Sequence, residues 1–171
     1  MKLSLSVLVL LVLATFASQA ALQDFDITAT REKMGQERGR ADGNTTVTTK
    51  EIRYRIEVKS RSFKALENVE VKYRVFYKDQ EAGATGDGVL RSQNGSEKFP
   101  LVGAQATVTL STKPFQLTTE QLDGNWYYDS GSGNKSSDRV AGIWVRVYIN
   151  GQLSQEFCNP STISRKADWK D

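Results

Sequence analysis

Hydrophobic and polar positions alternate along most of the chain. Ile52, Tyr54, Ile56 and Val58 alternate with Arg53, Arg55, Glu57 and Lys59, and Val69, Val71, Tyr73, Val75 and Tyr77 alternate with Glu70, Lys72, Arg74, Phe76 and Lys78. Ala104, Ala106, Val108 and Leu110 repeat the pattern, as do Ile143, Val145 and Val147 against Trp144, Arg146 and Tyr148. A period of two sends one set to a buried face and the other to water. β-branched and aromatic residues fill the apolar set, as pleated surfaces favour. The pattern predicts seven strands, at about 24–33, 47–59, 69–79, 87–92, 104–112, 139–150 and 152–158. No helical period emerges in the same region; residues 118–123 could form one helical turn at most. Short strands divided by turn residues predict an antiparallel two-sheet sandwich. The connections at 34–46, 80–88 and 93–98 are polar and Gly-rich, and the longest connection runs over 113–138. A loop of that length in a small domain is functional or disordered.

The last hairpin decides which face carries what. Asn150-Gly151 is a strong turn signal. A two-residue turn pairs Ile149 with Gln152 and places Ser154 and Glu156 in the Ile/Val row, which buries a carboxylate. A three-residue turn, Ile149-Asn150-Gly151, puts Gly151 in the left-handed position that glycine tolerates best. It sets Val147 opposite Leu153 and Ile143 opposite Phe157, with Gln155 the one polar member of the core row. A one-residue slip exchanges whole faces, and the three-residue turn is the expected one. Trp144, Arg146 and Tyr148 then point away from the core.

The N-terminus reads as an address. Lys2 is the only charge before Asp24, residues 3–16 are mostly Leu and Val, and Ala17-Ser18-Gln19-Ala20 ends small-x-small. This is the layout of a secretory signal peptide at 1–20, cleaved after Ala20. The rival, a retained anchor, falls short of the roughly 20 apolar residues that span a bilayer. Cleavage removes Lys2 alone and leaves 22 cationic and 20 anionic side chains. That balance gives no reason to expect a nucleic-acid partner. The chain has no His and one Cys. It therefore has no imidazole base, no Ser-His-Asp site, no His-bound zinc and no internal disulfide. The expected organisation is a signal peptide at 1–20, one domain at 21–163 and a polar tail at 164–171, exported to the periplasm or beyond the cell.

The row Gly142-Ile143-Trp144-Val145-Arg146-Val147-Tyr148-Ile149-Asn150-Gly151-Gln152-Leu153, followed by Phe157 and Pro160, resembles the final hairpin of small exported immunoglobulin-like domains. Glu57-Val58-Lys59-Ser60 with Val69-Glu70-Val71-Lys72-Tyr73 resembles their second and third strands. The chain is similar over most of 24–163 to uncharacterised exported proteins of verrucomicrobial bacteria. The resemblance implies an all-β, immunoglobulin-like (fibronectin III-like) sandwich and a bacterial envelope or secreted setting. It implies no catalytic residues. In that strand order the third and sixth predicted strands are neighbours. Lys72, Arg74, Phe76 and Lys78 then join Trp144, Arg146 and Tyr148 on one outer face, while Arg53, Arg55 and Lys59 lie on the opposite sheet.

Three features stand out as candidate sites. Phe76, Trp144 and Tyr148 could form a stacking platform, with Arg74 or Arg146 bonding hydroxyls or carboxylates; alternatively a segment of the same chain, such as 113–138, covers them. Trp126, Tyr127 and Tyr128 could form a recognition tip, or Trp126 could pin its loop onto the sandwich. Cys158 could form a disulfide with a second chain, or sit as a small residue under the tail. Asn44, Asn94 and Asn134 begin glycosylation sequons, all in predicted loops. Glu51, Glu67, Glu81, Glu97, Asp87, Asp123 and Asp129 show no spacing that singles out a catalytic pair, and no Asp-x-Asp-x-Asp run supports calcium. No cofactor or metal is expected. The expectation is a non-enzymatic β-sandwich that binds a protein partner through the ring-bearing outer face or a strand edge. A carbohydrate-binding module is the alternative, and a small secreted hydrolase the remote one.

Overall fold

A computed structural model describes residues 24–169. The expected signal peptide at 1–20 and its cleavage point, and the final two residues of the tail, lie outside the described residues. The chain forms β1 (Phe25–Arg40), β2 (Thr45–Ser60), β3 (Leu66–Asp79), β4 (Val89–Val102), β5 (Thr107–Ser111), β6 (Phe115–Leu122), β7 (Lys135–Ser137), β8 (Arg139–Ile149), β9 (Gln152–Asn159) and a short α1 (Ile163–Lys166). All strand pairs are antiparallel. One sheet runs β1-β2-β6-β7, with β5 also on β2, and the other runs β4-β3-β8-β9. The fold is the all-β, antiparallel two-sheet sandwich that the alternation predicts, with nine strands in place of about seven.

The core is the meeting of the apolar rows. Ile56, Val58, Val69, Val71, Val75, Ile143, Val145 and Val147 are wholly buried, with Ile52, Tyr54 and Tyr73 beside them. β3 and β8 pair as the strand order requires, with Val71 opposite Val147 and Tyr73 opposite Val145.

Polar ties join the layers at their margins. The Gln155 side chain accepts from the Phe25 amide at 2.9 Å and donates to the Phe25 carbonyl at 2.8 Å, linking β9 to β1. The Tyr73 hydroxyl accepts from the Lys113 amide at 3.1 Å. The Asp138 carboxylate accepts from the amides of Gln80 and Thr118 at 2.9 and 2.8 Å.

Four features depart from the sequence expectation. The first is the last hairpin, which uses the two-residue Asn150-Gly151 turn, with φ of 51° and 78°. Ile149 faces Gln152 and Tyr148 faces Leu153. A bulge beyond Tyr148 then restores the core parity: Val147 faces Gln155 and Val145 faces Phe157. The expected pairs Val147 with Leu153 and Ile143 with Phe157 do not form. The extra residue, Ser154, lets Leu153 turn outward while Phe157 packs against the core.

The second is the segment 115–122, expected to be loop or a helical turn. It is β6, laid along the first half of β2 with Lys50 opposite Leu117 and Ile52 opposite Phe115. The third is β4, which extends through the predicted 93–98 loop, so Asn94 lies within a strand opposite Arg74. The fourth is length: β1 and β2 both run 16 residues. Their 34–40 and 45–51 portions continue past the last fully buried row and pair with each other and with β6.

Two substitutions test the ties. A Cβ at Gly95 would stand 2.4 Å from Tyr73 Oη and 2.5 Å from Cζ. Gly95→Ala must push the Tyr73 ring off its place and is expected to cost about 1–3 kcal/mol. Gln155→Ala strips the Phe25 amide and carbonyl of their partners across the layers and is expected to cost about 1–2 kcal/mol. Urea unfolding midpoints at unchanged slope read both effects.

Candidate functional site

The outer face of the β4-β3-β8-β9 sheet gathers the predicted ring-and-cation set. Register places Arg74 opposite Trp144, Lys72 opposite Arg146, Glu70 opposite Tyr148 and Phe76 opposite Gly142. Two cations directly opposite one another repel. Here they are offset by neighbours: Arg146 Nε lies 2.6 Å from Glu156 Oε1, and Lys72 Nζ lies 4.9 Å over the Tyr148 ring. The Arg146 guanidinium sits 5.0 Å from the Trp144 ring centroid and 4.5 Å from that of Trp169. A desolvated guanidinium against aromatic faces is attractive by about 0.5–2 kcal/mol.

The platform is not open. Trp144 is 6% exposed and Phe76 3%, both packed against Ile163 of α1. Trp169 meets Trp144 edge-on at 5.4 Å, and Arg74 Nη1 donates to the Asp168 carbonyl at 3.2 Å. The cover comes from the C-terminal segment, not from 113–138. Residues 163–169, which take in most of the polar tail expected at 164–171, dock on the sheet because Ile163 and Trp169 bury apolar surface there. Gly142 permits the approach: a Cβ on it would stand 2.7 Å from the Asn159 carbonyl oxygen and 2.8 Å from Pro160 Cδ. Of the expected platform, Tyr148 and Arg146 stay half-buried while Phe76 and Trp144 are sealed.

Cys158 stands opposite Trp144 and packs into the same small cluster. Burial, then the Glu156 carboxylate, pushes its thiol above the ordinary range. The structure thus places Cys158 half-buried beside the C-terminal segment.

The loop 123–134 presents the other aromatic set. Trp126 is 61% exposed and Tyr127 66%. The base of the loop is fixed on both sides. The Asp123 amide donates to the Asn44 carbonyl at 2.7 Å, and Asp123 Oδ1 accepts from Thr46 Oγ1 at 2.8 Å. Asp123 also lies 3.3 Å from Arg40. The Tyr128 ring packs against Gly83, and the Ser130 hydroxyl donates to the Gly83 carbonyl. Burial raises the Tyr128 hydroxyl above its usual range, with Glu120 adding to the rise. Tyr128 therefore anchors the loop, and Trp126 and Tyr127 are the two rings it displays.

Of the seven carboxylates weighed from the sequence, Asp87 and Asp123 serve as ion-pair partners. Asp87 takes Lys78 and Arg139, which hold it below the usual carboxylate range, and Asp123 takes Arg40. Among the described residues no group of three or more His, Cys, Asp or Glu could hold a metal, and no helix is long and apolar enough to cross a membrane.

One region escaped the sequence reading. Where β1 and β2 outrun the core, a cleft of about 520 Å³ opens between their inner face and the start of β8. Arg31, Lys33, Lys50 and Arg139 line it, over a floor that includes Ile52 and Leu117. The signal was available: Arg31 and Lys33 continue the parity of Phe25, Ile27 and Ala29, so their charges face inward.

No family model and no curated protein matches the chain. Among solved structures it is similar to a structural-genomics target designated SoR45, at 7% identity and a TM-score of 0.40, over 79% of this chain and 85% of that one. It is also similar to a protein of Akkermansia muciniphila, a verrucomicrobium, at 9% identity and a TM-score of 0.30, over 88% and 80%. A Bordetella pertussis protein named ApaA is similar at 9% identity and a TM-score of 0.32, over 80% and 94%.

Removing the cover is a direct check of the sealed face. Trp169→Ala is expected to lower stability by about 1–3 kcal/mol, through lost ring burial and cation–π contact. Alkylation of Cys158 reads the same event. In the native protein it should be slow at neutral pH and rise only as pH climbs past the ordinary thiol range, because the thiolate is the nucleophile. Trp169→Ala should speed it at every pH.

Proposed function

We propose that the protein is an exported, non-enzymatic β-sandwich that acts as a protein-interaction module at the cell envelope or outside the cell. The observation that carries this reading is the pair of exposed rings, Trp126 and Tyr127, held out by a loop whose two ends are bonded to the sandwich. A loop fixed at its base loses little further entropy on contact, and aromatic rings offer large contact area with few rotatable bonds. Large exposed rings on an otherwise polar loop mark contact with something. The signal-like segment at 1–20 supports export, and a sequence without His offers no imidazole base. The sealing of Phe76 and Trp144 moves the contact from the sheet face to this tip. The sequence resemblance to exported verrucomicrobial proteins is part of the same reading, with a bacterial envelope as the proposed setting.

A carbohydrate-binding module is the second reading. It is favoured by the polar neighbours of the two rings, Asn125 and Asp129, which could bond the hydroxyls of a stacked sugar.

The test is a pull-down from envelope extract, run beside a panel of envelope polysaccharides, with the wild type and Trp126→Ala/Tyr127→Ala. Both substituted residues are exposed, so melting temperature should change little. The proposal expects a co-purifying protein that the double variant loses. Polysaccharide binding lost in the same variant, with no protein partner, supports the second reading instead. Retention of every partner by the double variant would overturn both.

A further inference from the structure

We infer that the cleft at the open end of the sandwich is a binding site for a small polyvalent oxyanion, a ligand carrying at least two carboxylate, phosphate or sulfate groups. This site is separate from the Trp126–Tyr127 tip, and the inference does not depend on the reading above.

The inference starts from parity. On β1 the inward positions read Phe25, Ile27, Ala29, then Arg31 and Lys33, which stand opposite Tyr54 and Ile52 of β2. On β2 the next inward position before Ile52 is Lys50, opposite Leu117. Cations at inward positions are costly between two packed layers, because burial strips their water. They are tolerated here because the facing sheet has ended and the space is open. Arg139, the first residue of β8, adds a fourth cation from the other layer. Three strands thus bring four positive side chains to one concavity of about 520 Å³, within the range of small-molecule sites.

The local anions do not balance them. Asp138 is the one carboxylate lining the cleft, and both its oxygens already accept backbone amides. Arg139 leans on Asp87, and Lys33 Nζ donates to Gln36 Oε1 at 2.7 Å. Among the described residues Arg31 and Lys50 have no ion-pair partner. A concavity lined by one sign of charge with low-dielectric walls concentrates the opposite ion. The hydroxyls of Thr119 and Ser137 also line the cleft but bond each other at 2.8 Å, and Ser137 donates to the Asp138 carbonyl, so the cations are the groups that face a ligand. An apolar floor at Ile52 and Leu117 suits the carbon frame of an organic anion better than a bare ion.

The experiment is calorimetric titration of the protein, with ionic strength matched across probes and variants. The probes are citrate, trigalacturonate, acetate and neutral maltotriose. The proteins are wild type, Arg31→Gln/Lys50→Gln, and Arg91→Gln as a cation change outside the cleft. Saturable binding of citrate or trigalacturonate is expected, weakened about tenfold or more in the double variant and unchanged in Arg91→Gln. Added salt should weaken it further. Tighter binding of trigalacturonate than citrate would place the anionic groups on a saccharide, and the reverse would make them a free organic acid. Arg31 and Lys50 are exposed, so an unchanged melting temperature certifies the fold of the double variant. The inference is overturned if neither polyanion saturates, if acetate or maltotriose binds as well, or if the double variant binds as the wild type does.

Discussion

Face-to-face burial of the two Val/Ile rows is the constraint on which the rest of the molecule depends. Sheets stacked about 10 Å apart leave room for one interdigitated layer of side chains. Here that layer is filled by Val and Ile from β2, β3 and β8, with Tyr54 and Tyr73 reaching toward its margins. Each buried row demands strict alternation on its strand, so the opposite parity is committed to the outside. The outer face of the β4-β3-β8-β9 sheet inherits its rings and cations in this way. Those rings would be costly to leave wet, and the C-terminal segment covers them by returning over Trp144 with Ile163 and Trp169. The polar ties at Gln155, Tyr73 and Asp138 lie at the margins of the apolar layer, where an unpaired backbone group would otherwise be shielded from water.

Unequal sheet length shapes what lies beyond the core. β1 and β2 are each 16 residues long, while β8 has 11. Past the point where the second layer stops, inward parity no longer means burial. The sequence responds by replacing Val and Ile with Arg, Lys and Thr at those positions. The same overhang supports β6 and β7, whose connecting loop carries Trp126 and Tyr127, and it makes one wall of the cationic cleft. Two candidate contact regions, chemically unlike each other, thus follow from one difference in strand length.

The sequence reveals whatever strict alternation encodes. The rows at 52–58, 69–77 and 143–147 are legible because each inward residue is apolar and each meets a facing row. The length of β1 is not legible beyond Lys33, because a bulge at Met34 breaks the alternation and the polar, Gly-containing run to Arg40 mimics a loop. β6 is hidden for a related reason: before the terminal Leu122 only Phe115 and Leu117 are apolar, and the Thr-Thr-Glu-Gln between suits a turn as well as a strand. The last hairpin misleads because the bulge at Ser154 shifts parity midway, so either single register satisfies only part of the strand. The tail is hidden because Ile163 and Trp169 are isolated apolar residues with no period. As for the candidate sites, the outward parity of Trp144 and Arg146 is visible in the sequence, but their cover is set by long-range packing that local patterning does not carry.

Amide hydrogen exchange on the protein tests the layered core and its overhang most directly. The 45–51 portion of β2 is paired on both sides, as is 55–59, so hydrogen bonding alone would protect the two alike. If burial between the layers sets stability, the slowest amides fall within 52–59, 69–75 and 143–147, and those of 34–40 and 45–51 exchange clearly faster. Equal protection along the whole of β2, or slowest exchange in the overhang, would contradict the account.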